Sequence, residues 1–177
     1  MSVYKLRDVI QFSVGKNASR IKDKDADLYT QEDFDNDLRR RNNQDTTKCI
    51  INLMKSKATM MTEMTSEKFV TSNFIECVID EDKLYPWYFV YKFNEDKKFC
   101  QQFAAAEQGY GAGASLKRLN VKLLQEMEIV IPNMKEQVVI GNMYKLALEK
   151  DRLMEEQMRQ VHTYTMEIIR LIDSEDR

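Results

Sequence analysis

Residues 128–172 read EIVIPNMKEQVVIGNMYKLALEKDRLMEEQMRQVHTYTMEIIRLI, and the architecture turns on this stretch. Glu128 to Ile131 is a short strand that Pro132 stops. Asn133 is a good helix N-cap, and Glu136 stands three residues on, where its carboxylate can return to the cap amide. No proline and a single glycine, Gly141, follow before the end of the chain. Steps of seven from Ile140 meet Ala147, Met154, Val161 and Ile168, all apolar. Steps of seven from Met143 meet Lys150, Gln157, Tyr164 and Leu171, so this second series is broken in its middle. Tyr144, Met158 and Ile172 widen the stripe. The pattern is a coiled-coil seam with a polar waist. Residues 135–172 as one helix span about 57 Å at ~1.5 Å per residue. Such a helix is too long to lie wholly on a domain of this size, so its stripe must find another helix. Folding back within the chain is the alternative, but no Gly/Pro/Asn turn interrupts the pattern. Pairing with another chain is the expectation. An antiparallel pair would bring Lys150 and Gln157 to Asp151 and Glu155 across the axis.

Upstream, residues 1–132 mix strand-like and short helical segments with polar loops. Val9–Val14 reads as a strand and Gly15 opens a basic loop after it. A helix from Glu32 carries Phe34 and Leu38 four apart. Cys49–Met54 (CIINLM) and Phe74–Ile79 (FIECVI) are further strands. Pro86 starts a buried helix through the aromatic run WYFVYKF, and Asn94 is read as the cap of a helix over Glu95–Ala106. Val121–Glu126 gives a turn or two of helix. The fold class is therefore α+β: one mixed α/β domain over residues 1–132, then a long coiled-coil-forming helix over 133–177.

Composition bounds function. In 177 residues, Lys and Arg number 27 against 29 Asp and Glu, a formal net charge of −2. A protein that grips DNA through phosphates alone usually carries a basic surplus. DNA binding here would have to rely on local basic loops or on a partner. The single histidine, His162, falls within the long helix, and the three cysteines, Cys49, Cys77 and Cys100, show no metal-like spacing. Reduced core thiols and no metal site are expected. The opening MSVYKLRDVIQFSV has no apolar run with a small-residue cleavage site, and no stretch reaches the ~20 apolar residues of a membrane span. A cytoplasmic chain is expected.

Catalytic motifs fail on context. Gly109–Ala114 (GYGAGA) has the spacing of a dinucleotide fingerprint but follows a helix end, whereas the mechanism needs a strand before it. No phosphate loop and no Asn-Pro-Pro-aromatic tetrapeptide occurs. Glu81 and Lys83 in the run Asp80–Lys83 form the E-x-K of metal-dependent nucleases without the additional carboxylates such chemistry needs. Basic and hydrogen-bonding groups, by contrast, gather in loops. Lys16, Asn17, Ser19, Arg20 and Lys22 follow the first strand; Lys55, Ser56 and Lys57 follow the second; Arg39, Arg40 and Arg41 end the polar segment; Tyr110, Ser115, Lys117 and Arg118 flank the glycine loop. Arg and Lys suit phosphates and guanine edges, and Asn suits adenine.

Three segments carry a family resemblance in order and spacing: the strand-SKA segment Cys49–Ala58, the glycine loop leading into Ser115–Asn120, and the strand–Pro–helix entry Ile129–Gln137. With the N-terminal KLRDVIQFSVGKNASRI, they resemble the target-recognition domain and following conserved helix of type I restriction–modification specificity subunits. The turn before IINLM departs from the family's common Gly-Asp, with Thr47-Lys48 in its place. The resemblance implies a non-catalytic reader of double-stranded DNA, partnered by a methyltransferase subunit and a restriction subunit that hold S-adenosylmethionine and ATP themselves. No cofactor is expected on this chain. Full members carry two recognition domains and two helices. One of each implies a homodimer that reads a two-part inverted repeat, with Ile140, Met143, Tyr144, Ala147, Met154, Met158, Val161, Tyr164, Ile168 and Leu171 at its interface. The alternative is an interaction module that dimerises or caps another specificity subunit without reading DNA.

Overall fold

In the computed structural model, residues 2–17, 26–39, 45–108 and 119–175 are described. The chain runs β1 (Ser2–Lys5), a 3-10 turn, β2 (Ile10–Val14), α1 (Gln31–Leu38), β3 (Asp45–Asn52), β4 (Lys57–Thr62), β5 (Phe74–Ile79), α2 (Pro86–Glu95), α3 (Lys97–Gln108), α4 (Val121–Glu126), β6 (Glu128–Ile131) and α5 (Met134–Glu175). β1 and β6 pair as a small antiparallel sheet, and β2-β5-β3-β4 form a four-stranded antiparallel one. This is a mixed α/β domain with a long C-terminal helix.

Alternation along β3, β4 and β5 divides the core between the faces of the larger sheet. Cys49, Ile51, Ala58, Met60, Ile75 and Cys77 pack with Trp87, Phe89, Val90 and Phe93 of α2. Ile50, Met61 and Phe74 point the other way, onto Tyr29 and Phe34. The side chain of Asp37, fully buried in α1, accepts hydrogen bonds from Tyr29 (2.9 Å), Thr62 (3.0 Å) and Thr65 (2.7 Å), which holds α1 to the end of β4. Cys49 and Cys77 face each other in register as buried thiols, and burial pushes the Cys77 thiol up.

Two strands, β1 and β4, were not anticipated. Lys57–Thr62 has polar ends and two methionines in place of a β-branched run, and only pairing with β3 makes it a strand. β3 stops at Asn52, short of Met54, because the Asn52 Oδ1 accepts the amides of Met54 and Lys55 at 2.8 and 3.0 Å. Asn94 does not cap the third helix. It lies buried in α2, and its amide spans the free edge of β4, accepting from the Ala58 N–H and donating to the Ala58 C=O, both at 2.8 Å. The cap is Asp96, whose carboxylate accepts from the Phe99 amide at 2.8 Å.

α5 starts at Asn133, whose Oδ1 accepts from the Glu136 amide at 3.0 Å. Gln137, 1% exposed, spends its amide on the two segments that meet there: it accepts from Tyr85 N (2.9 Å) and donates to the Lys83 carbonyl before α2 and to the Pro132 carbonyl before α5 (both 3.1 Å). Gly141 then lies against α2, where a Cβ would meet Tyr88 N at 2.7 Å and the Tyr85 ring at 2.8 Å. Ile140, Tyr144 and Leu148 pack on the chain's own core. Ile140 and Tyr144 are thereby withdrawn from the expected partner-facing seam. Farther on, Glu155 pairs with Arg39 at the end of α1 (3.7 Å), and residues 157–174 are exposed throughout.

Gly141→Ala should be destabilising although alanine favours helix by about 1 kcal/mol. The added methyl meets backbone, which cannot swing aside, and overpacking costs about 1–3 kcal/mol. Thermal unfolding should show a lowered Tm for this variant.

Candidate nucleic-acid interface

The antiparallel registers Val14↔Ile75, Ile51↔Ile75 and Ile51↔Ala58 place the exit of β2, the entry to β5, the exit of β3 and the entry to β4 at one end of the sheet. The loops carrying Lys16–Asn17 and Lys55–Lys57 therefore emerge together, on either side of Thr71–Asn73. That central segment is bonded to both. Ser72 N donates to the Lys16 carbonyl (3.0 Å), Gly15 N donates to the Phe74 carbonyl (3.1 Å), and Leu53 N donates to the Asn73 carbonyl (2.9 Å). Gly15 is required by this approach, since a Cβ there would stand 2.1 Å from the Thr71 oxygen. Ser56 closes the β3–β4 hairpin in the left-handed region at φ 50°. Ser19 and Arg20, and Tyr110, Ser115, Lys117 and Arg118 with the whole glycine loop, lie outside the described residues.

Beside Lys16 opens a groove of about 290 Å³ lined by Ser13, Lys16, Lys48, Lys68, Phe69 and Glu76. Neither Lys48 nor Phe69 carries a sequence signal for this groove, because one lies mid-strand and the other in a segment without periodicity. Phe69 is 46% exposed. Its backbone is pinned at both ends, to Asp27 O (2.8 Å) and from Tyr29 N (2.9 Å). Lys48 donates to the Ser66 carbonyl at 2.7 Å. Lys68 sits between Asp27 (3.3 Å) and Asp33 (3.1 Å). Burial pulls the Lys68 amine down, but the hydrogen bonds and charges of the two aspartates outweigh it and leave it above the ordinary lysine value. For Asp33, burial pushes up, and the backbone and hydroxyl of Thr30 together with Lys68 pull further down.

The two hairpin lysines are held by carboxylates. Lys55 bonds Asp35 of α1 at 2.5 Å; Lys57 donates to the Asn94 carbonyl at 2.7 Å and stands 3.4 Å from Glu95. All four charged side chains are 38–49% exposed, and such surface pairs are worth only ~0–1 kcal/mol. An incoming phosphate can replace the carboxylates at small cost. Lys83 pairs with Asp80 at 2.7 Å in the turn before α2. Among the described residues no His/Cys/Asp/Glu group could hold a metal ion.

Residues 1–161 match the type I restriction modification DNA specificity domain. The chain belongs to that family. The fold agrees with two solved structures. The HsdS subunit from Thermoanaerobacter tengcongensis superposes with a TM-score of 0.53 at 12% identity over 86% of this chain. The S subunit of the type I restriction-modification system from M. genitalium gives 0.50 at 11% identity over 82%. The specificity domain described here spans 38% of the length of each. No curated protein matches it. Among its described residues, no helix is long and apolar enough to cross a membrane.

Because the folded Asp33 titrates below its unfolded value near 3.8, its contribution to stability is present above that value and is lost as pH falls through the folded pKa. Asp33→Asn should lower Tm at neutral pH, and its curve should converge with that of the native chain in acid. Thermal unfolding across a pH series checks this.

Proposed function

We propose that this chain reads DNA sequence for a type I restriction–modification enzyme and has no catalytic centre of its own. The observation that carries this reading is the convergence of the Lys16 and Lys55 loops at one end of a sheet, with the Lys48/Phe69 groove beside Lys16, within a family defined by DNA specificity. Residues 1–132 act as the recognition domain. Lys16, Asn17, Ser19 and Arg20, Lys55–Lys57, and Tyr110, Ser115, Lys117 and Arg118 contact phosphates and base edges, with Lys48 and Phe69 beside them. The methyltransferase and restriction subunits bring the chemistry and its cofactors, in the cytoplasm.

Residues 133–177 form the pairing and docking helix. α5 presents Met143, Ala147, Met154, Met158, Val161, Tyr164, Ile168 and Leu171 away from the domain, with Met158 71% and Val161 59% exposed. An apolar stripe of that extent needs a partner helix. A second copy, antiparallel, would hold two recognition domains apart and read a bipartite inverted repeat. The net charge of −2 favours a second reading, in which the chain caps another specificity subunit through α5 and leaves DNA to it.

Lys16→Ala combined with Lys48→Ala should leave the fold intact and weaken DNA retention by the assembled complex. The slope of log affinity against log salt should fall by about two if each lysine meets one phosphate. Fluorescence anisotropy over a salt series reads this, and an unchanged slope removes both lysines from the interface. In light scattering the native chain should have the mass of a dimer and Val161→Asp that of a monomer. A monomer in both would favour the capping role.

A further inference from the structure

The seam residue Tyr144 does not face outward. Its ring stacks edge-on with Tyr91 of α2, centroids 5.7 Å apart. Its hydroxyl donates to Glu95 Oε1 (3.1 Å) and accepts from Asn94 Nδ2 (3.2 Å). Burial and the nearby Glu95 charge raise the hydroxyl's pKa, against the Asn94 hydrogen bond, so it stays a donor.

The same Glu95 Oε1 lies 3.4 Å from Lys57 Nζ, and the same Asn94 side chain grips the Ala58 backbone on both sides. Lys57 and Ala58 open β4 at the base of the hairpin that carries Lys55 and Ser56. One knot of hydrogen bonds therefore joins the DNA-facing hairpin to the long helix. Before the knot, Gln137 and Gly141 seat the start of α5 on the segment entering α2; beyond it, the next ion pair with the domain is weaker. Arg39 and Glu155 are 3.7 Å apart and more than half exposed, the kind of pair worth ~0–1 kcal/mol.

We propose that Tyr144 is a positioning residue for DNA recognition: with Asn94 and Glu95 it fixes the angle between the β3–β4 hairpin and α5, and through that angle the separation at which two half-sites are read. This rests on the reading of the chain as a paired DNA reader. Leverage is the physical reason. From Tyr144 to Leu171 the helix runs about 40 Å at ~1.5 Å per residue. A tilt of about 10° at the knot displaces its far end by about 7 Å, or about two base-pair steps of ~3.4 Å. With the Gln137–Gly141 contact seating the start of the helix, the Tyr144 hydroxyl thus trims a distance that neither the hairpin nor the helix sets alone. The knot also gives Lys57 two roles. When a phosphate draws Lys57 from Glu95, the oxygen it leaves is the one Tyr144 holds, so occupancy of the hairpin is felt at the helix.

The test compares the native chain with Tyr144→Phe, which keeps the ring against Tyr91 and removes only the hydroxyl. Each is used, in the assembled complex, to select from a duplex library with two randomised blocks separated by spacers of graded length. Hydrogen exchange of the Ala58 amide is measured in parallel on both chains. The expected result is that both enrich the same block sequences, while Tyr144→Phe accepts a broader or shifted range of spacers. Ala58 should exchange about fivefold faster in the variant, the factor that goes with loosening one hydrogen bond. An unchanged spacer distribution overturns the positioning role. If the native chain enriches no block sequence, the DNA reading falls and the spacing role with it. Exchange at Ala58 then decides the knot separately, and an unchanged rate removes it too.

Discussion

The architecture depends on how closely α5 approaches α2. At Gly141 the two backbones come within the reach of a missing methyl group, and Gln137, one turn before it, accepts from Tyr85 N and donates to the Lys83 carbonyl on the segment entering α2. This contact commits one face of the helix to the domain. A helix has only so much circumference, so the opposite face, from Met143 through Met154 and Val161 to Ile168, is left apolar and uncovered. Domain packing and the apolar stripe left uncovered are two sides of one constraint.

The same economy governs the ends of the larger sheet. Antiparallel pairing throughout the larger sheet gathers its loops at two ends. The end holding Lys16 and Lys55 is braced by backbone bonds through Thr71–Asn73, so its side chains project from a rigid base. Lys55 and Lys57 there are matched with carboxylates on α1 and α2. A chain with no basic surplus can still present cations to a phosphate when its local acids let go cheaply. The near-neutral charge and the DNA reading are compatible on these terms.

Asn94 and Glu95 stand where these two systems meet. Asn94 closes the free edge of β4, which protects it from pairing with another strand. Glu95, the next residue, shares one oxygen between the hairpin and the helix. The β3–β4 hairpin and the long helix are joined through two consecutive side chains.

The periodic and punctuated parts of the chain were legible from sequence alone. The helix after Asn133 and the strands Phe74–Ile79 and Glu128–Ile131 appear where expected, and so does the aromatic helix begun by Pro86, because caps, proline and hydrophobic period are local properties. The family could be read from the order of short motifs. Other features needed the fold. β4 is a strand by virtue of its partner, and Asn94 reads as a cap because a helix-capping and an edge-binding asparagine look alike in sequence. Ile140 and Tyr144 share the apolar period of the outward stripe yet face inward. A seven-residue repeat states that a stripe exists; which neighbour covers each part of it is decided by the geometry at Gly141. Lys48 and Phe69 join the groove beside Lys16 only when sheet register brings distant segments together. Local chemistry determined the elements, and long-range packing decided which of their surfaces were spent and which were left to function.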